Sequence, residues 1–179
     1  MGVKMKYYII CFPQDTLYGI AFPDDKDNEV DIPDQGKITD WKPIIFNLID
    51  GSFSDYQANS EVCRLCSEKL RSILDTFKSQ TDEIQWLPVT VRSKEGEERE
   101  YYILHFENEY DVIDWDQSIT VDKHFVVKPV FSIKKIDKHK VFNYPSSQGM
   151  GLLISEDIKN EVEKAGCTNL SISKVPLVE

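Results

Sequence analysis

The chain has 179 residues, of which 41 % are hydrophobic and 11 % aromatic, and its formal net charge is −10 at pH 7. Such a composition can bury a core, which excludes global disorder, and no apolar run approaches the roughly 20 residues that a membrane span needs. The charge argues against nucleic acid as a direct ligand, because phosphate binding needs clustered lysine and arginine. It favours a basic partner, although acidity can also serve solubility alone.

The length suits one domain, and we predict a single α+β domain over residues 1–179. Residues 1–56 can elaborate its sheet at the N-terminal side, with a long acidic loop over residues 24–40. The apolar run near the N terminus lacks the length and cleavage site of a secretory signal. Together with four cysteines that form no dense framework, this predicts a cytoplasmic protein with free thiols. The oligomeric state is left open.

The first part of the chain alternates β-rich runs with polar passages. Residues 6–12 and 17–22 are β-rich, and we expect the first of these runs to be buried on both faces. The acidic loop that follows does not have the residue spacing of an EF-hand, so calcium is not favoured. Residues 41–49 resume strand character, and residues 52–56 can form a short strand after the turn at Gly51.

The first main amphipathic helix is predicted at about residues 67–78. Four apolar side chains there follow the i, i+3, i+4, i+7 spacing of one helical stripe: Leu70, Ile73, Leu74 and Phe77. Ser67 is a candidate N-cap. An earlier start near residue 59 stays open, because three more residues continue the stripe: Val62, Leu65 and Cys66.

A central hairpin is predicted at about residues 86–107, within a mostly antiparallel sheet. Leu87, Val89 and Val91 alternate with residues that tolerate solvent, which indicates a strand with one buried face. A polar loop containing Gly96 and a second β-rich run over residues 100–107 complete the hairpin pattern.

The C-terminal part contains one basic patch and the second main helix. Residues 132–142 hold the patch, which can pair with the chain's own acids or form a solvated face. The helix is predicted at about residues 156–165, with Ser155 as N-cap and Gly166 at the left-handed position after its end. Ile158, Val162 and Ala165 form its predicted inward stripe, and a closing strand follows from residue 170.

No motif in the chain predicts a catalytic residue, a metal ligand set or a cofactor. Cys63 and Cys66 have CxxC spacing, which leaves three interpretations: core packing, a redox pair or part of a metal site. A small hydrolase using carboxylates or Cys63 is an alternative function.

Residues 108–117, the acidic segment, are the candidate partner-binding site. Carboxylates alternate there with aromatic side chains, a combination that protein interfaces use for affinity and steering. The alternative is a sheet-edge segment with core aromatics and solvated acids. The predicted contact residues are Glu109, Asp111, Asp114, Trp115 and Asp116.

An ordered series of short motifs resembles a known bacterial family. Trp41-Lys-Pro43 precedes Ser54-Asp55-Tyr56, and Ser67-Glu-Lys-Leu70 opens a helix. The series continues through Leu87-Pro88-Val89, Tyr101-Tyr102-Ile103-Leu104, Val112-Ile113-Asp114, Val130-Phe131 and Gly151-Leu-Leu-Ile154-Ser155, and ends with Ala165-Gly166. Over roughly residues 36–175 the chain resembles immunity proteins of polymorphic toxin systems, a former domain of unknown function typified by a myxobacterial immunity protein. The resemblance implies a non-catalytic protein that binds and blocks a cognate toxin stoichiometrically.

Overall fold

The computed structural model describes residues 5–14, 17–24, 30–121, 125–145 and 151–179. Strands predominate in these ranges, which confirms the α+β class, and the sheets are antiparallel or mixed. No helix of the described part is long and apolar enough to cross a lipid bilayer. The elements are β1 (Tyr7–Cys11), β2 (Ala21–Pro23), β3 (Ile45–Leu48), β4 (Tyr56–Gln57), β5 (Arg64–Ser67), α1 (Glu68–Phe77), β6 (Ile84–Arg92), β7 (Glu98–Phe106), β8 (Ile119–Val121), β9 (Phe125–Lys128), β10 (Phe131–Ser132), α2 (Ile133–Ile136), β11 (Val141–Phe142), β12 (Leu152–Ser155), α3 (Glu156–Lys164), β13 (Ser171–Lys174) and β14 (Leu177–Val178).

The larger sheet has six strands in the order β2-β3-β6-β7-β5-β4. β6 and β7 pair antiparallel along their whole length at its centre, with Leu87 opposite Ile103. The turn between them places Gly96 at φ +89°, a conformation that glycine adopts without strain. The hairpin therefore lies where the alternation of apolar residues indicates it, and its first strand begins at Ile84.

The smaller main sheet has four strands in the order β11-β12-β1-β13, so β1 lies inside it. Tyr7 and Ile10 are buried on its opposite faces, whereas Cys11 is exposed. The prediction that residues 6–12 are buried on both faces therefore holds for residues 7–10, which are buried or half-buried. It does not hold for Lys6 and Cys11, which are exposed.

Both faces of each main sheet are covered by apolar side chains. One core cluster lies between the two sheets, where Leu70 and Leu74 of α1 meet Ile158 and Val162 of α3. A second cluster covers the outer face of the four-stranded sheet, and a third covers the outer face of the six-stranded sheet. Because these faces are covered, the edges, the loops and the elements outside the two sheets form most of the accessible surface.

The early start of the first helix, near residue 59, is wrong. Residues Arg64–Ser67 form β5, which pairs with β7, and Val62 has a positive φ of 56°. Leu65 and Cys66 point to opposite faces of the sheet because neighbouring strand residues alternate, so their match to a helical stripe is coincidental. Ser67 accepts a hydrogen bond from the Leu70 backbone N–H at 3.3 Å, as an N-cap does.

The second helix ends one residue earlier than its stripe predicts. Ala165 is the exposed C-cap and is not part of the inward face, while Ile158 and Val162 are buried. Gly166 follows at φ +61°, the left-handed position that ends a helix without steric cost.

Three other predicted strands are shorter than their sequence patterns. In residues 17–22, regular strand begins only at Ala21, and Leu17 is 92 % exposed. In residues 41–49 it is confined to Ile45–Leu48, after Pro43, which has no N–H to donate. Strand β4 starts at Tyr56, at the end of the predicted 52–56 run. Of the acidic loop, residues 25–29 lie outside the described residues, and residues 30–40 contain no regular strand or helix.

Candidate partner interface

The acidic segment is held in place by a buried aspartate–histidine hydrogen bond beneath it. The Asp82 and His139 side chains are 0 % and 2 % exposed, and His139 Nδ1 lies 2.9 Å from Asp82 Oδ1. Asp82 Oδ2 accepts backbone N–H groups from Ser79, Lys140 and Val141 at 2.8, 3.0 and 2.9 Å. This carboxylate therefore joins the loop before β6 to the start of β11.

Tyr110 connects the acidic segment to that pair. Its ring contacts the His139 ring at a centroid distance of 4.1 Å. Its hydroxyl donates to the Thr81 carbonyl and accepts the Glu83 N–H, both at 2.9 Å. Val112 and Ile113 are buried and Tyr110 is half-buried, so these side chains face inward, whereas Trp115 is partly exposed.

Two of the five predicted contact residues are tied into local structure. Asp111 forms an ion pair with Lys135 at 2.8 Å and accepts the Trp115 indole N–H at 3.0 Å. Asp114 accepts the Gln117 backbone N–H at 3.0 Å and so closes the turn. Hydrogen bonding to Lys135 holds the pKa of Asp111 below its usual value.

The other three predicted residues present groups that are more available. Trp115 is 39 % exposed and Asp116 is exposed, while Glu109 is half-buried. Among the described residues, no hydrogen bond or ion pair engages the carboxylates of Glu109 and Asp116. These two carboxylates are therefore free to meet a cationic partner.

A ribbon of exposed apolar side chains follows the acidic segment directly. β8 and β9 form a two-stranded antiparallel sheet of their own. One of its faces carries four side chains that are 44–58 % exposed: Ile119, Val121, Phe125 and Val127. Val126, on the other face, is only 6 % exposed and joins the core cluster on the outer side of the four-stranded sheet. We call the four exposed side chains the apolar ribbon.

Hydrogen bonds connect the acidic segment to the residues that flank strands β8 and β9. The Asp114 N–H donates to the Val130 carbonyl at 2.8 Å, and the Val130 N–H donates to Ser118 Oγ at 2.9 Å. Ser118 Oγ donates back to the Asp114 carbonyl at 2.6 Å. The acids and the apolar ribbon are therefore parts of one continuous surface.

Three of the five basic residues of the patch pair with the chain's own acids. Lys135 pairs with Asp111, His139 with Asp82, and Lys140 with Asp157 at 2.6 Å. The patch at residues 132–142 thus supports the fold around the acidic segment. Lys134 and Lys138 remain exposed.

The cysteine pair does not have the properties of a reactive site. Cys66 is buried in β5, and burial raises the pKa of its thiol. Burial also raises the pKa of Cys63 to about 12, so its thiol stays protonated at neutral pH, whereas nucleophiles and metal ligands are thiolates. No group of three or more His, Cys, Asp or Glu side chains within the described ranges is placed to hold a metal ion. Core packing accounts for Cys66.

A comparison with protein families decides where this fold belongs. The model of the Immunity protein family (Imm11) matches residues 26–176, which include the acidic segment and the apolar ribbon. The chain belongs to the Imm11 immunity protein family. Among curated proteins, no match was found. Membership in Imm11 links the chain to toxin immunity. Strand β1 is an inner strand of the four-stranded sheet, yet it lies before the region that the family model matches.

Sequence reasoning missed the apolar ribbon of this Imm11 protein. The alternation in residues 119–121 is a signal for a strand, but it favours burial of Ile119 and Val121 and exposure of Thr120. The structure shows the opposite orientation, because Val126 enters the core and its cross-strand partner Thr120 shares that face.

The buried carboxylates predict how stability depends on pH. Burial opposes ionisation of Asp82 and Asp55, but hydrogen bonds outweigh it and hold both pKa values below 3.8. Groups with a lowered folded-state pKa stabilise the fold above their unfolded pKa, and this contribution is lost as pH falls through the folded value. We expect the free energy of unfolding, measured by urea denaturation, to fall below about pH 4. Equal values at about pH 6 and pH 3 would contradict this assignment, and Asp55→Asn should reduce the dependence.

Proposed function

We propose that this protein neutralises a cognate bacterial toxin by binding it stoichiometrically, without catalysis, and that it acts in the cytoplasm as a single domain. This proposal rests mainly on the apolar ribbon beside the acidic segment, in a chain that belongs to the Imm11 immunity protein family. Four large apolar side chains are exposed on one small sheet, 44–58 % each, so most of their apolar surface is not used in the core of the chain. Exposed apolar clusters with a polar rim are typical of protein interaction sites.

The charge of this surface indicates the chemistry of the partner. Glu109 and Asp116 are unpaired among the described residues, and the whole chain carries a net charge of −10. A basic toxin surface matches this field, which speeds encounter and disfavours acidic partners. The apolar ribbon would supply the desolvated centre of the contact, and the acids would form its rim.

We expect a neighbouring gene to encode the cognate toxin domain, and the decisive experiment uses that domain. We expect the two proteins to co-purify as a complex of fixed stoichiometry, and we expect co-expression to restore growth to cells that make the toxin. Substoichiometric protection, or destruction of the toxin's product without complex formation, would favour an enzyme instead. Absence of both binding and protection would contradict the proposal.

Reversing one rim charge should slow association with the toxin. In Asp116→Lys we expect the association rate constant at low salt to fall about two- to fivefold, with less effect at high salt, because the carboxylate acts through long-range attraction. Stopped-flow or surface plasmon resonance measures this rate. Reversing Asp111, Asp114 and Asp116 together should slow it further, but the first two also hold the turn, so the single variant is the cleaner test.

Glu95→Lys is the matched control for this charge reversal. Glu95 is exposed in the turn of the central hairpin, at the end opposite to the acidic segment. Equal rates for Asp116→Lys and Glu95→Lys at every salt concentration would show that net charge matters and that the position of Asp116 does not.

A further inference from the structure

A cleft of about 200 Å³ opens next to the acidic segment, and the proposed surface does not account for it. Glu109 lines it together with residues from the loop before β5, from the end of β7 and from the segment after β11. Pockets for drug-sized ligands have volumes of roughly 300–1,000 Å³, so the smaller volume of this cleft suits a single side chain or one peptide unit.

The floor of the cleft contains a buried arginine without a counter-ion. Arg64 is 8 % exposed, its Nε donates to the Gly151 carbonyl at 2.9 Å, and its guanidinium lies 4.8 Å from the centroid of the Phe106 ring. No carboxylate among the described residues pairs with it, and no hydrogen bond among them uses its Nη groups. A buried charge normally has an ionic partner, because removing it from water costs several kcal/mol.

A buried acceptor without a partner lines the same cleft. Asn143 is 4 % exposed, and its Oδ1 has no hydrogen-bond partner among the described residues. Native structures contain few such atoms, since each one costs about 1–3 kcal/mol. The cleft thus offers an unused donor fork and an unused acceptor, which together match the C=O and N–H of an amide.

The charged side chains at the rim of the cleft restrict the charge of the group that lies next to a bound amide. Asp34, Glu61 and Glu109 all line the cleft, which therefore contains three carboxylates and one guanidinium. This balance disfavours a free anion and favours a cationic group next to the amide. A guanidinium stays protonated at neutral pH, so Arg64 is suited to binding and not to proton transfer.

We propose that this cleft is a recognition subsite for the toxin: it receives one amide group, from the main chain or from an asparagine or glutamine side chain, on a loop that also carries lysine or arginine. The amide oxygen accepts a hydrogen bond from the Arg64 Nη groups, and the amide N–H donates a hydrogen bond to Asn143 Oδ1. The rim carboxylates pair with the neighbouring cation. This assignment rests on the proposed toxin-binding function and adds a second, polar contact to the apolar ribbon.

The first test measures toxin affinity and melting temperature for variants on the cleft floor. Arg64→Gln should weaken affinity on the order of 10- to 100-fold, since it removes charge-assisted hydrogen bonds. Asn143→Leu should raise the melting temperature, because a buried unsatisfied acceptor disappears, and should still weaken affinity about tenfold. A purely structural residue would not show gain of stability together with loss of binding.

Arg71→Gln is the matched control for the arginine. Arg71 also lies over an aromatic ring, 4.4 Å from the centroid of Tyr102, but it is on α1 and outside the cleft. We expect unchanged affinity. If Arg64→Gln and Asn143→Leu bind the toxin like wild type while a variant of the apolar ribbon does not, the cleft assignment is overturned and the proposed function stands.

A peptide titration tests the cleft without the toxin. We expect acetyl-Lys-Gln-Lys-amide at millimolar concentration to shift the NMR signals of the Arg64 and Asn143 side chains, and acetyl-Lys-Leu-Lys-amide to shift them much less. The Arg64→Gln variant should show no response. If neither peptide shifts the signals of the wild-type protein, the cleft does not recognise an amide, whatever the toxin experiment shows. Equal shifts from the two peptides would assign the subsite to a main-chain amide instead of a side-chain amide.

Discussion

Replacing Asp82 with alanine should lower the free energy of unfolding by about 3–5 kcal/mol, a large part of the stability of a typical domain. The Asp82 carboxylate is fully buried. It accepts hydrogen bonds from three backbone N–H groups and is also hydrogen-bonded to His139 Nδ1. The alanine side chain leaves these buried donors unsatisfied, and each unsatisfied donor costs about 1–3 kcal/mol before relaxation. Urea denaturation followed by circular dichroism measures the loss.

If the alanine variant does not fold, the milder variant Asp82→Asn can be measured in its place. The amide retains one acceptor oxygen but loses the charge, so we expect about half of the alanine effect. The matched control is Asp137→Ala, at an exposed aspartate two residues before His139, which should change stability by less than about 0.5 kcal/mol. Equal stability for the Asp82 and Asp137 variants would show that the buried pair does not stabilise the fold.

Replacing all four side chains of the apolar ribbon with threonine should weaken toxin binding about 100-fold or more. Central apolar side chains at interfaces cost up to about 2–4 kcal/mol each when truncated, and their losses combine. Threonine keeps the β-branched shape that suits strands. Because Ile119, Val121, Phe125 and Val127 are 44–58 % exposed, we expect the melting temperature to change little. Isothermal titration calorimetry gives the affinity.

The control for the ribbon variant makes the same kind of change at the edge of the six-stranded sheet. Ile20 and Ile49 are 49 % and 52 % exposed beside β2 and β3, so Ile20→Thr with Ile49→Thr changes two apolar side chains whose exposed fractions are similar to those of the ribbon. We expect this pair to leave affinity unchanged. If the control weakens binding and the ribbon variant does not, the toxin docks on that edge.

The parts of the fold that the sequence predicts well are those specified by neighbouring residues. The alternation of Leu87, Val89 and Val91 coincides with one buried face of β6, and all three are at most 2 % exposed. The end of α3 at Gly166 depends on one residue that tolerates positive φ. In both cases the determining interactions lie within a few positions along the chain.

The parts that sequence reasoning missed depend on contacts between distant residues. Residues 62–66 fit a helical stripe, yet Arg64–Ser67 form strand β5 by pairing with β7, because tertiary contacts override local periodicity. The candidate contact residues Asp111 and Asp114 are visible as acids, but their partners Lys135 and Gln117 are apparent only in the structure. The encounter of Arg64 with Asn143 in one cleft has no signal in the sequence.

The position of β1 has a consequence for the order of events during synthesis. β1 ends at Cys11, but its two hydrogen-bonded neighbours begin only at Leu152 and Ser171. Closing so long a loop is slow, and until it closes the edges of β1 are open to other chains. We therefore expect the nascent chain to extend past Lys174 before this sheet forms, whereas the central hairpin can form early on the ribosome. If the toxin and this protein are synthesised together, we expect protection to begin only after that late step.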